Sequence, residues 1–197
     1  LSWVAQEEWR MEVFRSHGKI YEASAAMMFD VPIESVTKGS DLRQRGKTAE
    51  LALGYQGSVG AMEKMDREGA IPKNEMKPLV DRWRRANPSI VKLWYDVEAC
   101  AKRTIKTGKT TELKFLKFHY DGTYFRIELP CGRSLFYNQP SMTLNRFGME
   151  SIQFKGMNQE IKQWEDIETY GGKLVENIIQ AISRDLLAYS MQRLREE

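Results

Sequence analysis

The period of the apolar residues changes near Thr110, and this change limits the folds that the chain can adopt. Before Thr110, apolar residues recur at helical spacing, most regularly over residues 88 to 106. From Thr110 onward the period is two, and residues 113–120 and 123–129 predict a β-hairpin with a two-residue turn at Asp121-Gly122. A chain that is helical first and alternating afterwards is typical of the α+β class.

The remainder of the chain extends this α+β prediction. Residues 133–137 predict a third strand, whereas residues 139–154 predict a loop with one strand at most. Apolar residues at helical spacing over 168–195 predict a final helix that packs on a sheet or on other helices. We therefore expect a predominantly helical α+β chain with a small antiparallel β portion and a C-terminal helix.

Composition places this chain among globular proteins that can bury a core. It has 197 residues, of which 42% are apolar and 29% charged, and it contains no apolar run of about 18 residues. Its two cysteines, Cys100 and Cys131, lack the spacing of metal ligands and are too few for a disulfide framework. We expect both thiols to be reduced and the protein to be cytoplasmic, with no membrane partner. Because the sequence starts inside a helical pattern and without methionine, it resembles a fragment.

Charge is unevenly distributed along the sequence. Residues 1–37 carry three Lys or Arg against six Asp or Glu, and residues 150–197 carry six against nine. Residues 38–149 carry 21 against 12 and so have a net charge of +9. A basic middle section suits a polyanionic partner, although helices with solvated lysines give the same counts.

The stretch from Asp41 to Gly60, DLRQRGKTAELALGYQGSVG, has the most informative pattern. It predicts a helix over 41–53, with Asp41 as its N-cap and Gly54, Gly57 and Gly60 at or after its end. Within the stretch, four side chains are spaced four residues apart and would share one slowly winding helical face. They are Arg43, Lys47, Leu51 and Tyr55.

Two interpretations of this face stay open on spacing alone. Like charges at i and i+4, such as Arg43 and Lys47, most often form a solvated face and weaken a helix slightly. A solvated face, however, has no need of an aromatic residue with a glycine nearby on either side, as Tyr55 has. A planar, polyanionic ligand would use the cations and the aromatic ring together.

Three blocks of the sequence together resemble family A DNA polymerases, the DNA polymerase I family, and bacteriophage members in particular. The spacing of Arg43, Lys47 and Tyr55 before a glycine, in RGKTAELALGYQG, is similar to motif B, the O-helix of the polymerase fingers. HGKIYEASAAMMF precedes it and ETYGGKLVENIIQAISRDLL follows it, in the order of the family. The resemblance covers nearly the whole chain and implies template-directed nucleotidyl transfer from dNTPs to a primer 3′-OH, with primer-template DNA and dNTPs as partners.

The resemblance implies roles for residues in and near the O-helix. Arg43 and Lys47 would bind the dNTP phosphates, and Lys47 would also donate a proton to the departing pyrophosphate as the catalytic residue of this chain. Leu51 takes the position that faces the sugar, where the family often has Phe or Tyr. Tyr55 would stack at the template base or nascent pair and so contact DNA. Tyr21 stands where many members have a histidine near the phosphates, or it packs on the O-helix as a half-buried tyrosine.

The resemblance also implies DNA contacts in the second half of the chain. Arg133, in LPCGRSLFY, corresponds to a segment whose basic side chains approach the duplex, although a surface arginine on a strand fits the pattern equally. Gly171 and Gly172 lie where a backbone would approach nucleic acid closely. Many members have an Arg, Asn and Gln series there that reads the minor groove, and this sequence departs from it, because a glycine occupies the glutamine position.

Catalysis in this family requires two Mg²⁺ ions held by carboxylates that lie outside the matched segment. We therefore expect no metal ligands in this chain, and no activity from the chain alone, while the intact protein is a DNA-directed DNA polymerase. The implied domains are a palm-to-fingers helix over 1–15, a fingers subdomain over 16–108 that includes the O-helix, and a partial palm over 109–197.

Two other functions remain as alternatives. A standalone basic nucleic-acid-binding module would account for the charge distribution without any chemistry. A fragment of a single-subunit RNA polymerase would use a similar fingers helix.

Overall fold

A computed structural model describes residues 1–66, 69 and 71–196. Residues 67, 68 and 70, inside the predicted fingers subdomain, and residue 197 lie outside the described part. Two compact units are present, Leu1–Leu93 and Trp94–Glu197. The helices are α1 (Ser2–Ala5), α2 (Glu8–Ser16), α3 (Ile20–Phe29), α4 (Asp41–Leu53), α5 (Val59–Met65), α6 (Lys73–Ala86), α7 (Pro88–Thr107) and α8 (Gly171–Glu196), with a 3₁₀ turn at Ile33–Ser35. The strands are β1 (Thr111–Leu113), β2 (Leu116–Tyr120), β3 (Tyr124–Glu128), β4 (Ser134–Leu144), β5 (Glu150–Met157) and β6 (Trp164–Thr169).

The first unit is helical and is built on the buried face of α6. The apolar residues of this face recur at helical spacing and include Leu79, Val80 and Trp83, each at most 2% exposed. Pro78 lies inside this helix, which begins five residues before it, at Lys73. Residues 1–15, predicted as one helix, form α1 and α2 instead, because Gln6 adopts a left-handed conformation (φ 61°) that ends α1.

The second unit contains one six-stranded sheet in which neighbouring strands are antiparallel and follow sequence order. Its buried face carries Phe118, Phe125 and Tyr137, whose rings are in contact across neighbouring strands. The α+β prediction, mainly helical with an antiparallel sheet and a C-terminal helix, is therefore confirmed. Helix α7 was expected over residues 88–106, and it ends one residue later, at Thr107.

The sheet is larger than the sequence predicted. Residues 139–154, predicted as a loop with one strand at most, supply the second half of β4 and most of β5. A proline at position 140 would ordinarily interrupt a strand, because it cannot donate a backbone hydrogen bond. Here the pairing register shifts between Asn138 and Ser141, and this β-bulge accommodates Pro140 within β4. Because β6 continues to Thr169, α8 begins at Gly171 rather than at the predicted Glu168.

The predicted strand over 113–120 is interrupted, because β1 ends at Leu113 and β2 begins at Leu116. The hairpin predicted around Asp121-Gly122 is formed by β2 and β3, but its predicted turn is one residue too short. β2 ends at Tyr120 and β3 begins at Tyr124, so the loop has three residues. The Asp121 carboxylate closes it by accepting hydrogen bonds from the backbone N–H groups of Thr123 (2.9 Å) and Tyr124 (2.7 Å).

Candidate functional site

The candidate site is built on α4, whose bounds match the predicted helix over 41–53. Ser40, and not Asp41 as predicted, is the N-cap, because its hydroxyl accepts a hydrogen bond from the Arg43 backbone N–H at 3.3 Å. Asp41 is instead the first helical residue, where a carboxylate faces the positive end of the helix dipole. One face of α4 is buried, and it includes Ala49, at 0% exposure, and Leu53, also at 0%.

Arg43 is held by two side chains from the first turn of α3. Its Nε donates a hydrogen bond of 2.6 Å to Glu22 Oε1, and its guanidinium carbon lies 5.5 Å from the centre of the Tyr21 ring. Partial burial acts to raise the pKa of the Glu22 carboxyl. The hydrogen bonds that this carboxyl accepts from Arg43 and from the backbone together outweigh burial, so the pKa lies below its usual range. The Glu22 carboxyl is therefore ionised at neutral pH.

Lys47 follows Arg43 by one helical turn and is half-buried. Within the described part of the chain, its ammonium group has neither an ion-pair nor a hydrogen-bond partner. Leu51, one turn further on, is 52% exposed. This flank of α4 thus presents one held cation, one unpaired cation and an apolar side chain in succession.

Tyr55 does not lie on this flank, because α4 ends at Leu53 and Tyr55 is in the turn that follows. The turn is tight: a Cβ on Gly57 would lie 1.9 Å from the Ala52 carbonyl oxygen, and Gln56 has a positive φ of 66°. Tyr55 is half-buried and makes contacts within the molecule. The prediction that four side chains share one helical face is therefore wrong for the fourth.

Gly46, which the sequence analysis did not single out, sets the distance between α4 and α3. A Cβ at this position would lie 2.5 Å from the Tyr21 carbonyl oxygen and 2.9 Å from Ala25 Cβ. The two helices therefore approach with backbone against backbone, which only glycine permits here. This close contact places Tyr21 and Glu22 beside Arg43.

A buried network around Glu50 anchors α4 to the neighbouring helices, and it too was missed from sequence. The Glu50 carboxylate pairs with Arg10, and both side chains are 7% exposed. It also accepts hydrogen bonds from the Ser24 hydroxyl (2.7 Å) and the Trp83 indole N–H (2.9 Å). Arg10 in turn donates to the Asn87 side-chain oxygen at 2.9 Å. The only signal in the sequence was a single carboxylate inside the apolar run AELAL.

Arg133, Gly171 and Gly172, the predicted DNA contacts in the second half of the chain, lie in the second unit. Arg133 is 45% exposed and forms an ion pair with Asp185 of α8 at 2.6 Å. Asp185 also accepts a hydrogen bond from the Cys131 thiol at 2.9 Å. The hydrogen bonds from Cys131 and Arg133 lower the pKa of the Asp185 carboxyl. Arg133 is thus positioned by α8 at the surface, and its contact with DNA stays a prediction.

Gly171 and Gly172 are buried at the start of α8. A Cβ on Gly171 would lie 2.1 Å from the Trp94 carbonyl oxygen, and the Gly171 N–H donates to Glu98 Oε2 at 3.1 Å. Close packing on α7 therefore gives Gly171 a structural reason to be glycine, and its predicted DNA contact, like that of Gly172, is untested.

Among the described residues, no three His, Cys, Asp or Glu side chains are grouped so that they would hold a metal ion. None of the helices in the described ranges is long and apolar enough to cross a membrane.

Two comparisons with known proteins bear on this site. No protein-family model matches the chain. A DNA polymerase from Bacillus phage SP02 is 52% identical to it over 197 residues, which are 98% of this chain and 30% of that polymerase. The chain therefore spans less than a third of the relative that it matches. The predicted resemblance to a bacteriophage DNA polymerase is confirmed, and this chain is similar, along almost its whole length, to one segment of such an enzyme.

Proposed function

We propose that this chain is the dNTP-binding segment of a family A DNA-directed DNA polymerase, with α4 as its O-helix. The observation that carries the proposal is the flank of α4 that bears Arg43 and Lys47, two cations one turn apart, in a chain 52% identical to part of a phage DNA polymerase. On this proposal, residues 16–108 are the fingers, residues 109–197 are part of the palm, and residues 1–15 connect palm to fingers. The substrates are dNTPs and primer-template DNA.

The three side chains on the flank, and Tyr55 in the turn after it, each have a distinct chemical task. The guanidinium of Arg43 has a fork of N–H donors that matches phosphate oxygens, and Lys47 supplies a compact charge with three donors. As the bond to pyrophosphate breaks, negative charge grows on the leaving group, and the Lys47 ammonium stabilises it and donates a proton to it. Leu51 offers an apolar surface to the sugar, and Tyr55 packs against the template base or the nascent pair.

Divalent metal ions, which family A enzymes use, would activate the primer hydroxyl and neutralise phosphate charge. The described residues of this chain do not fit such a site, since no group of three potential ligands is present among them. We therefore assign no step of the reaction to metal ligands within this segment.

Single-turnover incorporation by the intact protein tests the proposal. Lys47→Ala should slow the chemical step on the order of 10² to 10³-fold, the loss expected for one preorganised electrostatic donor. Arg43→Ala should weaken the binding of every dNTP alike, because phosphates carry no base information. Tyr55→Ala should instead alter the ratio of correct to incorrect incorporation.

Lys64→Ala is the matched control, because Lys64 is an exposed lysine on α5 with no role in the proposal, and it should leave all three quantities unchanged. If Lys47→Ala kept the rate within about twofold of the wild type, the flank would be only a solvated face and the proposal would fail.

A further inference from the structure

The way in which Glu22 holds Arg43 leaves part of the guanidinium available. The hydrogen bond of 2.6 Å joins Glu22 Oε1 to Nε, the donor nearest the backbone. Neither terminal amino group of Arg43 has a hydrogen-bond partner among the residues that the structure describes. These two groups are the donors that bind a phosphate in bidentate fashion.

Tyr21 and Glu22 are themselves fixed in place by backbone packing. The Tyr21 carbonyl oxygen is the atom that Gly46 approaches most closely, so the start of α3 is set against the middle of α4. The Tyr21 ring then lies 5.5 Å from the guanidinium carbon, and Glu22 is only 15% exposed. A half-buried arginine side chain with several rotatable bonds is thereby held in one position before any ligand arrives.

Resting on the proposed function, we propose that Glu22 is a positioning residue for nucleotide binding. It holds Arg43 through Nε against the Tyr21 ring, so that both terminal amino groups are presented to the triphosphate. Its task is to orient a neighbour, and it does not touch the substrate.

The opposite effect is physically conceivable and gives a different experimental result. A carboxylate beside a phosphate site repels the ligand, and if repulsion outweighed orientation, removal of Glu22 would tighten nucleotide binding. Glu22→Gln separates the two effects. Its amide oxygen still accepts a hydrogen bond from Nε, but it carries no charge.

The experiment measures the dNTP dissociation constant and the maximum rate separately, from the concentration dependence of single-turnover incorporation by the intact protein. We expect Glu22→Ala to raise the dissociation constant about tenfold, with a change in maximum rate of less than about threefold, because a lost orientation chiefly weakens binding. Glu22→Gln should restore binding to the wild-type value or tighter. Glu22→Ala in an Arg43→Ala background should cause no further loss, because Glu22 acts through Arg43.

Glu75→Ala is the matched control. Glu75 of α6 pairs with Arg45 of α4 at 2.5 Å, but it has no place in the proposed phosphate site, so its removal should leave the dissociation constant unchanged. Unfolding of each variant by urea checks that the fold is retained. If Glu22→Ala tightened binding or left it unchanged while Arg43→Ala weakened it, the positioning role would be wrong and the proposed function would stand. If Arg43→Ala itself had no effect on binding, the proposed function would fail.

Discussion

Glu50→Ala is predicted to be among the most damaging single substitutions in the first unit. It removes one partner of an ion pair whose side chains are each 7% exposed, and it leaves the Arg10 guanidinium buried without its carboxylate. The hydroxyl of Ser24 and the indole N–H of Trp83 lose the same acceptor. An uncompensated buried charge is far more costly than the loss of an attractive contact.

The expected magnitude follows from these three losses. Breaking a buried ion pair by removing one partner costs about 3–5 kcal/mol, and each unsatisfied neutral donor costs about 1–3 kcal/mol. These contributions share one site and do not add, so we expect a total of about 4 kcal/mol. Since small domains are stable by only about 5–15 kcal/mol, the variant should be close to unfolding.

Urea unfolding of the chain, followed by circular dichroism of its helices, measures this loss as a lower transition midpoint. Glu75→Ala again serves as the control, because its ion pair with Arg45 is 44% exposed on the glutamate side and should contribute less than about 1 kcal/mol. The double substitution Arg10→Met with Glu50→Leu should recover more than half of the unfolding free energy that Glu50→Ala loses, because no unpaired charge is left. A loss below about 1 kcal/mol for Glu50→Ala would show that water reaches the network and that our account of its burial is wrong.

Two further predictions concern the packing glycine and a buried tyrosine. Gly46→Ala should lower the free energy of unfolding by about 1–3 kcal/mol through overpacking against α3, seen as a lower urea midpoint. Gly60→Ala, whose Cβ would have nothing within 4 Å, should be neutral or stabilising by up to about 1 kcal/mol, and equal effects of the two substitutions would refute the close approach. Burial raises the pKa of Tyr137 to about 12, against the hydrogen bond from Asn177, so its phenol stays protonated in the folded state while the unfolded chain ionises near about pH 10. Stability should therefore fall as pH rises from about 10 to about 12, and Tyr137→Phe should remove this part of the fall in alkaline urea titrations; an unchanged pH slope would contradict it.

The sequence predicted well those helices and turns that are determined by residues close to one another in the chain. The bounds of α4 and, to within one residue, the end of α7 followed from apolar spacing and from the caps and breakers beside them, and the β2–β3 hairpin followed from alternation around Asp121-Gly122. Errors of one residue arose where two neighbours offered the same chemistry, as with Ser40 and Asp41 at the N-cap of α4.

Elements and contacts that depend on distant partners were not predictable in this way. β5 and β6 alternate poorly, and each strand is defined by its pairing with a neighbour, as Ile152 with Thr169. The place of Glu50 inside the apolar run AELAL is a weak local signal, and it does not identify the partner Arg10, which lies 40 residues away. The roles proposed for Arg43 and Lys47 came from resemblance, and the structure adds the Glu22 contact, which neither spacing nor resemblance had indicated.

The contact at Gly46 has a consequence for protein engineering. At Gly46 the backbone of α4 approaches that of α3 with no room for a Cβ between them, so the relative position of the two helices depends on this contact. A designer who transplanted residues 41–53 alone into another scaffold would lose the support that aims Arg43. The smallest transferable unit is the helix pair with its own connection, residues 20–53, and any movement of α4 would carry Tyr21 and Glu22 with it.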